Sequence, residues 1–350
     1  MKKFLILLLP IVLISCQPDM VHKSDPSLPL QSGKITMNFK NKVGLNVRSV
    51  YFLDRETGFI GNHNGELFRT LNGGKTWDLV FHHEAEHLYM QQITFTDKQT
   101  GFAVGGYTGC SGNGCTPPGG ILVKTTDGGA TWTVIKQQPG SYDYRSVAQN
   151  SNGDLFLLMR RPDNYPKYTC AIMRSTDLGE HWEDVAVLRM NAMKLAFDGS
   201  TGFCIGMDTS KNLIRSTNNG QTWDDAMHVG ARSVDDVAFA NGVSYAITDR
   251  SDVLRSTDHG TTWEAYTHSN NLSLQTINAV NDDVCLVWGS GDYSGGCFGF
   301  TAGALLETST AGKVWIEHQF PEFGIFQHTT FFNGHHGYVV NGNVLEVVIE

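Results

Sequence analysis

Thr125-Thr-Asp-Gly-Gly-Ala-Thr-Trp132 is one of five copies of an octapeptide that reads Thr/Ser-x-Asp/Asn-x-Gly-x-Thr-Trp. The other four copies end at Trp77, Trp182, Trp223 and Trp263, and an eroded sixth copy ends at Trp315. Successive tryptophans of these copies are 55, 50, 41, 40 and 52 residues apart. Internal repeats of roughly 40 to 50 residues are typical of propeller blades, each made of four antiparallel strands.

Each octapeptide has the composition of a tight turn between two strands. The Asp or Asn side chain can bond backbone N–H groups two residues on, and the Gly can adopt a positive φ. We expect the Trp to begin the outgoing strand and to bury its ring between neighbouring blades. The predicted structural residues of these turns are Asn72, Trp77, Asp127, Trp132, Asp177, Trp182, Asn218, Trp223, Asp258, Trp263 and Trp315.

Short apolar segments around each octapeptide supply the remaining strands of a blade. Glu66-Leu-Phe-Arg69 comes directly before the first turn, and a segment opened by Thr57-Gly-Phe precedes it. An alternating segment such as Val47–Phe52 lies earlier still, so each unit has four strands once the segment after the Trp is counted. Six complete units run from about residue 46 to 320.

The two ends of the ring are predicted to complete a seventh blade together. The chain ends with three strands and no octapeptide, and Lys34-Ile-Thr-Met-Asn-Phe39 reads as a strand without a unit. Pairing the N-terminal strand with the C-terminal blade would close the ring and remove exposed sheet edges. The sequence therefore predicts an all-β protein in which residues 34–350 form one seven-bladed β-propeller. Six blades with a loose terminus is the alternative.

The first 33 residues read as an export and anchoring segment. Met-Lys-Lys precedes an apolar run over residues 4–14, which is shorter than the ~20 residues of a membrane-spanning helix. Leu13-Ile-Ser-Cys16 resembles the lipobox of bacterial lipoproteins, which implies cleavage after residue 15 and lipidation of Cys16. An ordinary signal peptide with an incidental Cys is the alternative. Residues 16–33, rich in Pro and Ser, read as a flexible tether.

The charge balance limits the classes of partner. Removal of residues 1–15 also removes Lys2 and Lys3, which changes the formal charge from −9 to −11. Such an acidic protein is a poor candidate for nucleic-acid binding or for electrostatic adsorption to a membrane. We therefore expect membrane attachment through the lipid anchor only, in the bacterial cell envelope.

The exported chain would keep six cysteines, an even number that permits disulfides. Cys110 and Cys115 flank a short Gly-containing loop and form the first candidate pair, and Cys285 with Cys297 forms the second. Cys170 and Cys204 lie in apolar strands, where free buried thiols and a bridge are both open.

Strand order determines which loops share a face of the ring. In an antiparallel blade the turns after the first and third strands lie on one face. The turn after the second strand and the crossover to the next blade lie on the other. Three insertions follow second strands, at 105–120, 160–168 and 289–303. Because loops on rigid scaffolds carry function and binding hot spots favour aromatic and Arg side chains, this face is the predicted binding face. The candidate binding residues are Tyr107, Tyr144, Arg145, Arg160, Arg161, Asp163, Tyr165, Asp292 and Tyr293.

One metalloprotease-like pattern is expected to be a coincidence. His83-Glu-Ala-Glu-His87 matches H-E-x-x-H, but that chemistry needs both histidines on one helix, a third ligand and a cleft. Here the match falls in a crossover between strands. With no Cys-x-x-Cys pair either, we expect neither a metal site nor a cofactor.

The octapeptide is similar to the Asp-box, or BNR repeat, of sialidases, sortilins and related propellers. A single ring with Thr-Gly-Phe openings and octapeptide endings looks most like the photosystem II stability/assembly factor family. That resemblance implies a binding or assembly role toward a protein partner, without chemistry of its own. Sialidases need an Arg-Ile-Pro segment that this chain lacks; Arg161-Pro162 is a weak echo in another blade.

Two functions from different classes remain open. The sequence favours a lipid-anchored scaffold that binds a protein partner through the face opposite the octapeptides. The alternative is a carbohydrate-binding or glycoside-cleaving surface protein. Glycoside hydrolysis needs two carboxyl groups within about 5–10 Å, and nothing in the sequence selects such a pair.

Overall fold

The computed structural model describes residues 19–23, 35–42, 46–84, 88–107, 119–140, 142–161, 169–206, 213–224, 233–240, 242–266, 272–281, 283–293, 300–320, 326, 328–333, 336–340 and 343–349. These residues form 28 strands in seven antiparallel sheets, which are the blades of a seven-bladed β-propeller. Within this described part, no helix is long and apolar enough to cross a membrane.

Blades 1 to 3 each have four strands. They are β3 (Val47–Phe52), β4 (Gly58–Asn62), β5 (Glu66–Thr70) and β6 (Asp78–His82); β7 (Leu88–Phe95), β8 (Gly101–Tyr107), β9 (Gly120–Thr125) and β10 (Thr133–Gln138); and β11 (Asp143–Gln149), β12 (Leu155–Arg161), β13 (Thr169–Ser175) and β14 (Glu183–Leu188). In each blade the strands lie side by side in chain order, from the central channel outward.

Blades 4 to 6 follow the same order. They are β15 (Ala192–Asp198), β16 (Thr201–Gly206) and β17 (Leu213–Ser216); β18 (Val234–Ala240), β19 (Val243–Thr248), β20 (Val253–Ser256) and β21 (Glu264–Tyr266); and β22 (Leu272–Ala279), β23 (Cys285–Tyr293), β24 (Phe300–Thr308) and β25 (Val314–Phe320). The described residues supply three strands of blade 4.

Blade 7 closes the ring with strands from both ends of the chain. Its inner strands are β26 (His328–Asn333), β27 (His336–Val340) and β28 (Asn343–Ile349), and β2 (Ile35–Lys42) pairs with β28 as the outermost strand. The register places Ile35 opposite Ile349 and Lys42 opposite Asn343. The predicted closure and the count of seven blades are therefore confirmed. The six-bladed alternative is wrong because β2 supplies the missing fourth strand.

A further strand lies within the segment that the sequence assigns to a flexible tether. β1 (Asp19–Lys23) pairs antiparallel with β25 and makes blade 6 a five-stranded sheet. Five residues of the predicted tether are thus part of the propeller edge. The composition of the segment does not predict a strand. Its pairing depends on the exposed edge of β25, which lies 290 or more residues later in the chain.

The octapeptides form one hydrogen-bonded turn, repeated around the ring. In blade 2 the N–H of Gly129 donates to Thr125 Oγ1 at 2.9 Å, and the N–H of Thr131 donates to Asp127 Oδ1 at 3.0 Å. The hydrogen bond from the Thr131 hydroxyl is the largest of several that lower the pKa of Asp127 to about 2. We call these the repeat turns and the side of the ring that carries them the repeat-turn face. The opposite side is the crossover face.

The eroded sixth copy makes the same turn with a different acceptor. Thr308 Oγ1 accepts from the N–H of Gly312 at 3.0 Å, and Thr310 Oγ1 takes the place of the carboxylate by accepting from the N–H of Val314 at 2.8 Å. The hydroxyl of Thr310 therefore preserves the turn after loss of the acid.

Four of the repeat turns also pack their blade against the preceding one. The aromatic ring of Phe59, from the second strand of blade 1, packs edge-on against Trp132 of blade 2 with centroids 6.1 Å apart. A Cβ on Gly129 would lie 2.2 Å from that ring. The same pairing joins Phe156 to Trp223, Phe203 to Trp263 and Tyr245 to Trp315. The predicted burial of the tryptophans between blades holds at these junctions.

Three of the cysteines lie within the described residues. Cys285 begins β23 at the repeat-turn end, opposite Thr308, and is a free thiol with no exposed surface. The structure therefore shows no bridge at Cys285, and its predicted partner Cys297 lies outside the described residues. Cys170 and Cys204 are also free and buried, and Cys110, Cys115 and Cys297 lie outside the described residues.

Candidate functional site

A polar cavity of about 380 Å³ lies in the central channel, where the first strands of all seven blades meet. Each first strand begins at the crossover face, because it follows the crossover from the preceding blade. The lining residues come from the beginnings of these strands, so the cavity lies toward the crossover face. We call its open end the channel mouth.

The cavity is lined through a bulge that recurs in six blades. The register between the first and second strands shifts by one residue at each of these points, so two residues of the first strand oppose one of the second. The first bulge residue of each blade is a channel-position residue: Arg48, Gln91, Arg145, Met193, Asp235 and Gln275. The next residue is a staple-position residue: Ser49, Gln92, Ser146, Lys194, Asp236 and Thr276.

The staple-position residues bind each blade to the next one. Ser49 Oγ donates to the carbonyl of Met90 in blade 2 at 3.0 Å. Gln92 Oε1 accepts from the N–H of Val147 in blade 3 at 2.9 Å. Ser146 Oγ both donates to the carbonyl of Leu195 in blade 4 and accepts from its N–H.

The same stapling continues through blades 4 to 6 with charged groups. Lys194 Nζ donates to Asp236 Oδ1, and Asp236 Oδ2 accepts from the N–H of Ile277 at 3.3 Å and from the hydroxyl of Thr276 at 3.2 Å. Because buried polar groups are satisfied in this way, the channel wall is held rigid and the channel-position residues project from a fixed frame.

A buried carboxylate holds two predicted binding residues at the mouth. Asp143 has no exposed surface, and its Oδ2 accepts from Arg145 Nε at 2.9 Å and lies 3.6 Å from Arg160 Nη2. The Tyr89 hydroxyl donates to the same carboxylate at 3.1 Å. Burial is the first cause that raises the pKa of Tyr89, so this hydroxyl stays protonated. The cluster orients Arg145 toward the channel and neutralises part of its charge.

The mouth is basic on the side of blades 7 and 1. Arg48 Nε donates to Gln91 Oε1 at 2.9 Å, and its guanidinium lies 5.4 Å from the centre of the Tyr89 ring. Burial, then the charges of Arg48 and His63, lower the pKa of His328 to about 4, so its imidazole is neutral at pH 7. Within the described residues Arg48 has no carboxylate partner, and it is the unmatched cation of the site.

The mouth is acidic on the side of blade 5. Asp235 is solvent-accessible in the channel, and no described residue donates a hydrogen bond to it. Partial burial among the inner strands, then the negative charges of Asp249 and Asp236, raise the pKa of Asp235 to about 6. Blades 1 and 5 lie nearly opposite each other in a ring of seven, so Arg48 and Asp235 give the mouth a positive and a negative side.

The other predicted site residues are distributed around the same face with different accessibility. Tyr107, Arg161 and Tyr293 end second strands at the crossover face, and Asp292 comes just before Tyr293. The side chains of Tyr107, Asp292 and Tyr293 are outside the description, as are residues Asp163 and Tyr165 altogether. Arg161 donates to Asp184 on the outer strand of its own blade.

Tyr144 has a structural position. Its ring has no exposed surface and belongs to the hydrophobic core between blades 2 and 3, where it lies against Gly120 of blade 2. It cannot contact a partner directly in this conformation. Its neighbour Arg145 lies on the opposite face of the strand, at the bulge, and lines the channel.

Sequence reasoning missed Arg48, Gln91, Met193, Asp235, Gln275 and His328. The signal was present, because six first strands carry two residues between buried positions where strict alternation allows one. Val47-Arg-Ser-Val50, Met90-Gln-Gln-Ile93 and Val234-Asp-Asp-Val237 show it most clearly. An extra residue at one place in each repeat predicts a bulge that turns a side chain into the channel.

No group of three His, Cys, Asp or Glu side chains among the described residues is placed to hold a metal ion. His83 and Glu84 lie in the crossover after β6, in a non-helical segment, and His87 is outside the description. The expectation that the H-E-x-x-H match is a coincidence stays a prediction.

Comparison with known proteins supports the fold at low sequence identity. No family model matches the sequence, and no curated protein matches it. A solved structure of YCF48 bound to a D1 peptide is 20% identical, with a TM-score of 0.64 over 93% of this chain and 99% of that chain. YCF48 from Cyanidioschyzon merolae is 12% identical, with a TM-score of 0.60 over 89% and 98% of the two chains.

The GH74 xyloglucanase from Xanthomonas campestris is 12% identical, with a TM-score of 0.66 over 89% of this chain but 53% of that chain. At these identities the comparisons establish the propeller fold and nothing finer. They agree with the fold implied by the resemblance to the photosystem II stability/assembly factor family.

Proposed function

We propose that this chain is a lipid-anchored scaffold of the cell envelope that binds a protein partner at the channel mouth of the crossover face. The observation that carries the proposal is the mouth itself, an open polar cavity with an unmatched Arg48 on one side and Asp235 on the other. A rigid site with separated charges favours a partner segment that offers charges of both signs and many hydrogen-bonding groups.

A polypeptide segment meets those requirements. Its main chain presents donors and acceptors to Gln91, Gln275 and the histidine at 328, and its side chains or termini supply the charges. The solved structure of YCF48 bound to a D1 peptide, which has a similar fold, supports a peptide ligand for this chain. Arg160 and Arg161 then lie at the rim, where they would contact the rest of the partner, while Arg145 lines the channel.

The anchor completes the proposal. Lipidation of Cys16 would hold the propeller at a membrane and raise the local concentration of envelope partners. Several acyl chains on one residue give stable attachment, which the acidic surface of the protein would not provide by charge.

The test is affinity capture with matched variants of the full-length lipoprotein from detergent-solubilised envelopes of its own organism. Arg48→Ala removes the unmatched cation at the mouth. Lys98→Ala removes an exposed cation from the turn between the first two strands of blade 2, on the repeat-turn face. We expect Arg48→Ala to lower partner recovery about tenfold, which corresponds to ~1.4 kcal/mol, and Lys98→Ala to leave it unchanged. Equal recovery by both variants at an unchanged melting temperature would reject the site.

The second candidate function is a glycan-directed activity, which Asp235 favours. An acid with a pKa of about 6 in an open polar cavity has the property of a general acid. Its neighbour Asp236 already accepts hydrogen bonds from Lys194 and from the N–H of Ile277 in blade 6. These bonds leave it unsuited to act as the second carboxylate. Hydrolysis of any envelope glycan that is lost in Asp235→Asn would favour this function over the scaffold.

A further inference from the structure

β1 fixes the direction in which the chain leaves the propeller toward Cys16. Asp19 lies opposite His318, and Lys23 lies opposite Val314. β25 begins at the last repeat turn and runs to the crossover face, so β1 runs the other way. Asp19 is therefore at the crossover-face end of blade 6, and Lys23 is toward the repeat-turn face.

This pairing shortens the reach of the anchor. Cys16 is three residues before Asp19, and three residues span at most about 10 Å even when fully extended. A free tether of residues 16–33 would instead have a contour length of about 60 Å and would let either face approach the bilayer. With β1 in place, the chain enters the propeller at Asp19 and then runs about 13 Å along the edge of blade 6 to Lys23, away from the anchor.

We infer that the crossover face, with the channel mouth, faces the membrane that carries the anchor, and that the partner is a membrane protein whose recognised segment lies at the bilayer surface. This inference rests on the proposed lipidation of Cys16. The rim of blade 6 at the crossover face is the part of the ring that the short linkage brings to the lipid headgroups. The repeat-turn face is directed away from the bilayer.

The experiment compares two labels on one blade of the lipidated protein in phosphatidylcholine vesicles that contain a nickel-chelating lipid. A nitroxide is attached to Arg250→Cys, on the exposed turn between β19 and β20 at the crossover face. A second sample carries it on Thr257→Cys, an exposed position in the repeat turn of the same blade. Relaxation enhancement by nickel falls steeply with distance, and we expect it to be several-fold greater at Arg250→Cys. Equal enhancement, or greater enhancement at Thr257→Cys, would overturn the inference.

A second pair of variants tests the role of β1. Val21→Pro/His22→Pro removes the N–H groups of two consecutive residues, and in an antiparallel ladder one of the two faces the neighbouring strand. We expect this variant to lose the difference between the two labels, because the tether becomes long. Val21→Ala/His22→Ala keeps both N–H groups and should retain the difference. If the proline variant retains it as well, β1 does not orient the ring.

Failure of the lipid anchor is distinguishable from failure of the inference. Mass spectrometry of the N-terminal peptide reports acylation of Cys16, and Cys16→Ser should release the protein from vesicles. An unacylated Cys16 would reject the anchor that the inference needs. An acylated protein with equal enhancement at both labels would reject the orientation and leave the scaffold proposal intact.

Discussion

At the scale of single residues, the junctions between blades depend on glycines at positions where a side chain would be strained. Gly129 has a φ of +77°, and a Cβ there would lie 2.2 Å from the Phe59 ring of the preceding blade. Gly129 belongs to an octapeptide and Phe59 to a Thr-Gly-Phe segment, so both are visible in the sequence. The two residues are, however, 70 positions apart. Their contact becomes visible only when neighbouring blades pack.

Gly129→Ala should destabilise the protein by about 2–4 kcal/mol, since it combines left-handed backbone strain with overpacking against Phe59. Gly199→Ala is the matched control, because Gly199 has a φ of +58° but nothing within 4 Å of its Cβ position. The control should lose only ~1–2 kcal/mol, the cost of the backbone strain. Urea unfolding of both variants measures the difference in the free energy of unfolding. Equal losses of stability would mean that the close contact with the Phe59 ring adds no cost to the substitution.

The ionisation of Asp235 gives a second prediction at this scale. Its pKa in the folded protein, about 6, is above its value in the unfolded chain, so the folded state binds the proton more tightly. The destabilising effect of this acid is absent below about pH 4 and develops as the pH rises to about 6 and beyond. Asp235→Asn should therefore raise the melting temperature at pH 7.5 and leave it unchanged at pH 4.

The size of that effect is limited by solvent. Because Asp235 is accessible in the channel, screening keeps the expected gain below about 1 kcal/mol. Thermal unfolding of wild type and variant at the two pH values is the measurement. A gain of equal size at both would show that the substitution acts through packing and not through the charge.

At the scale of strands, the sequence predicted the repeating elements well and the special ones poorly. The turns, the strand order and the closing strand followed from local patterns such as Ser256-Thr-Asp-His-Gly-Thr-Thr-Trp263. The bulges were not predicted, because a single added residue looks like noise in one strand and becomes a signal only across six. β1 was not predicted because its partner, β25, is distant in sequence.

The closing strand is tested by two truncations. Removal of residues 1–33 deletes β1 and leaves β2, whereas removal of residues 1–42 deletes both. Loss of β2 exposes the edge of β28 and removes the 2.8 Å ion pair between Lys40 and the buried Glu346. We expect the longer truncation to be less stable than the shorter one by more than ~3 kcal/mol, and to aggregate through the open edge. Equal melting temperatures would contradict closure by β2.

At the scale of the whole molecule, the two faces of the ring differ in their role. The repeat turns satisfy their own polar groups and hold the blades together, as the hydrogen bonds of Thr125 and Asp127 show. The crossover face carries the channel mouth, where, among the described residues, Arg48 has no carboxylate partner and Asp235 accepts no hydrogen bond. The division of the loops between the two faces was predictable from strand order, and the crossover face stays the predicted binding face. The charged residues at its centre were not predictable, because they depend on the bulges.

The most direct test of the proposed function is site-specific photo-crosslinking in intact envelopes. A benzoylphenylalanine in place of Gln275, an exposed channel-position residue, is compared with one in place of Lys98 on the repeat-turn face. The scaffold proposal predicts a protein adduct at Gln275 that Arg48→Ala abolishes, and no adduct at Lys98. A protein adduct at Lys98 alone, or no protein adduct at Gln275, would contradict it.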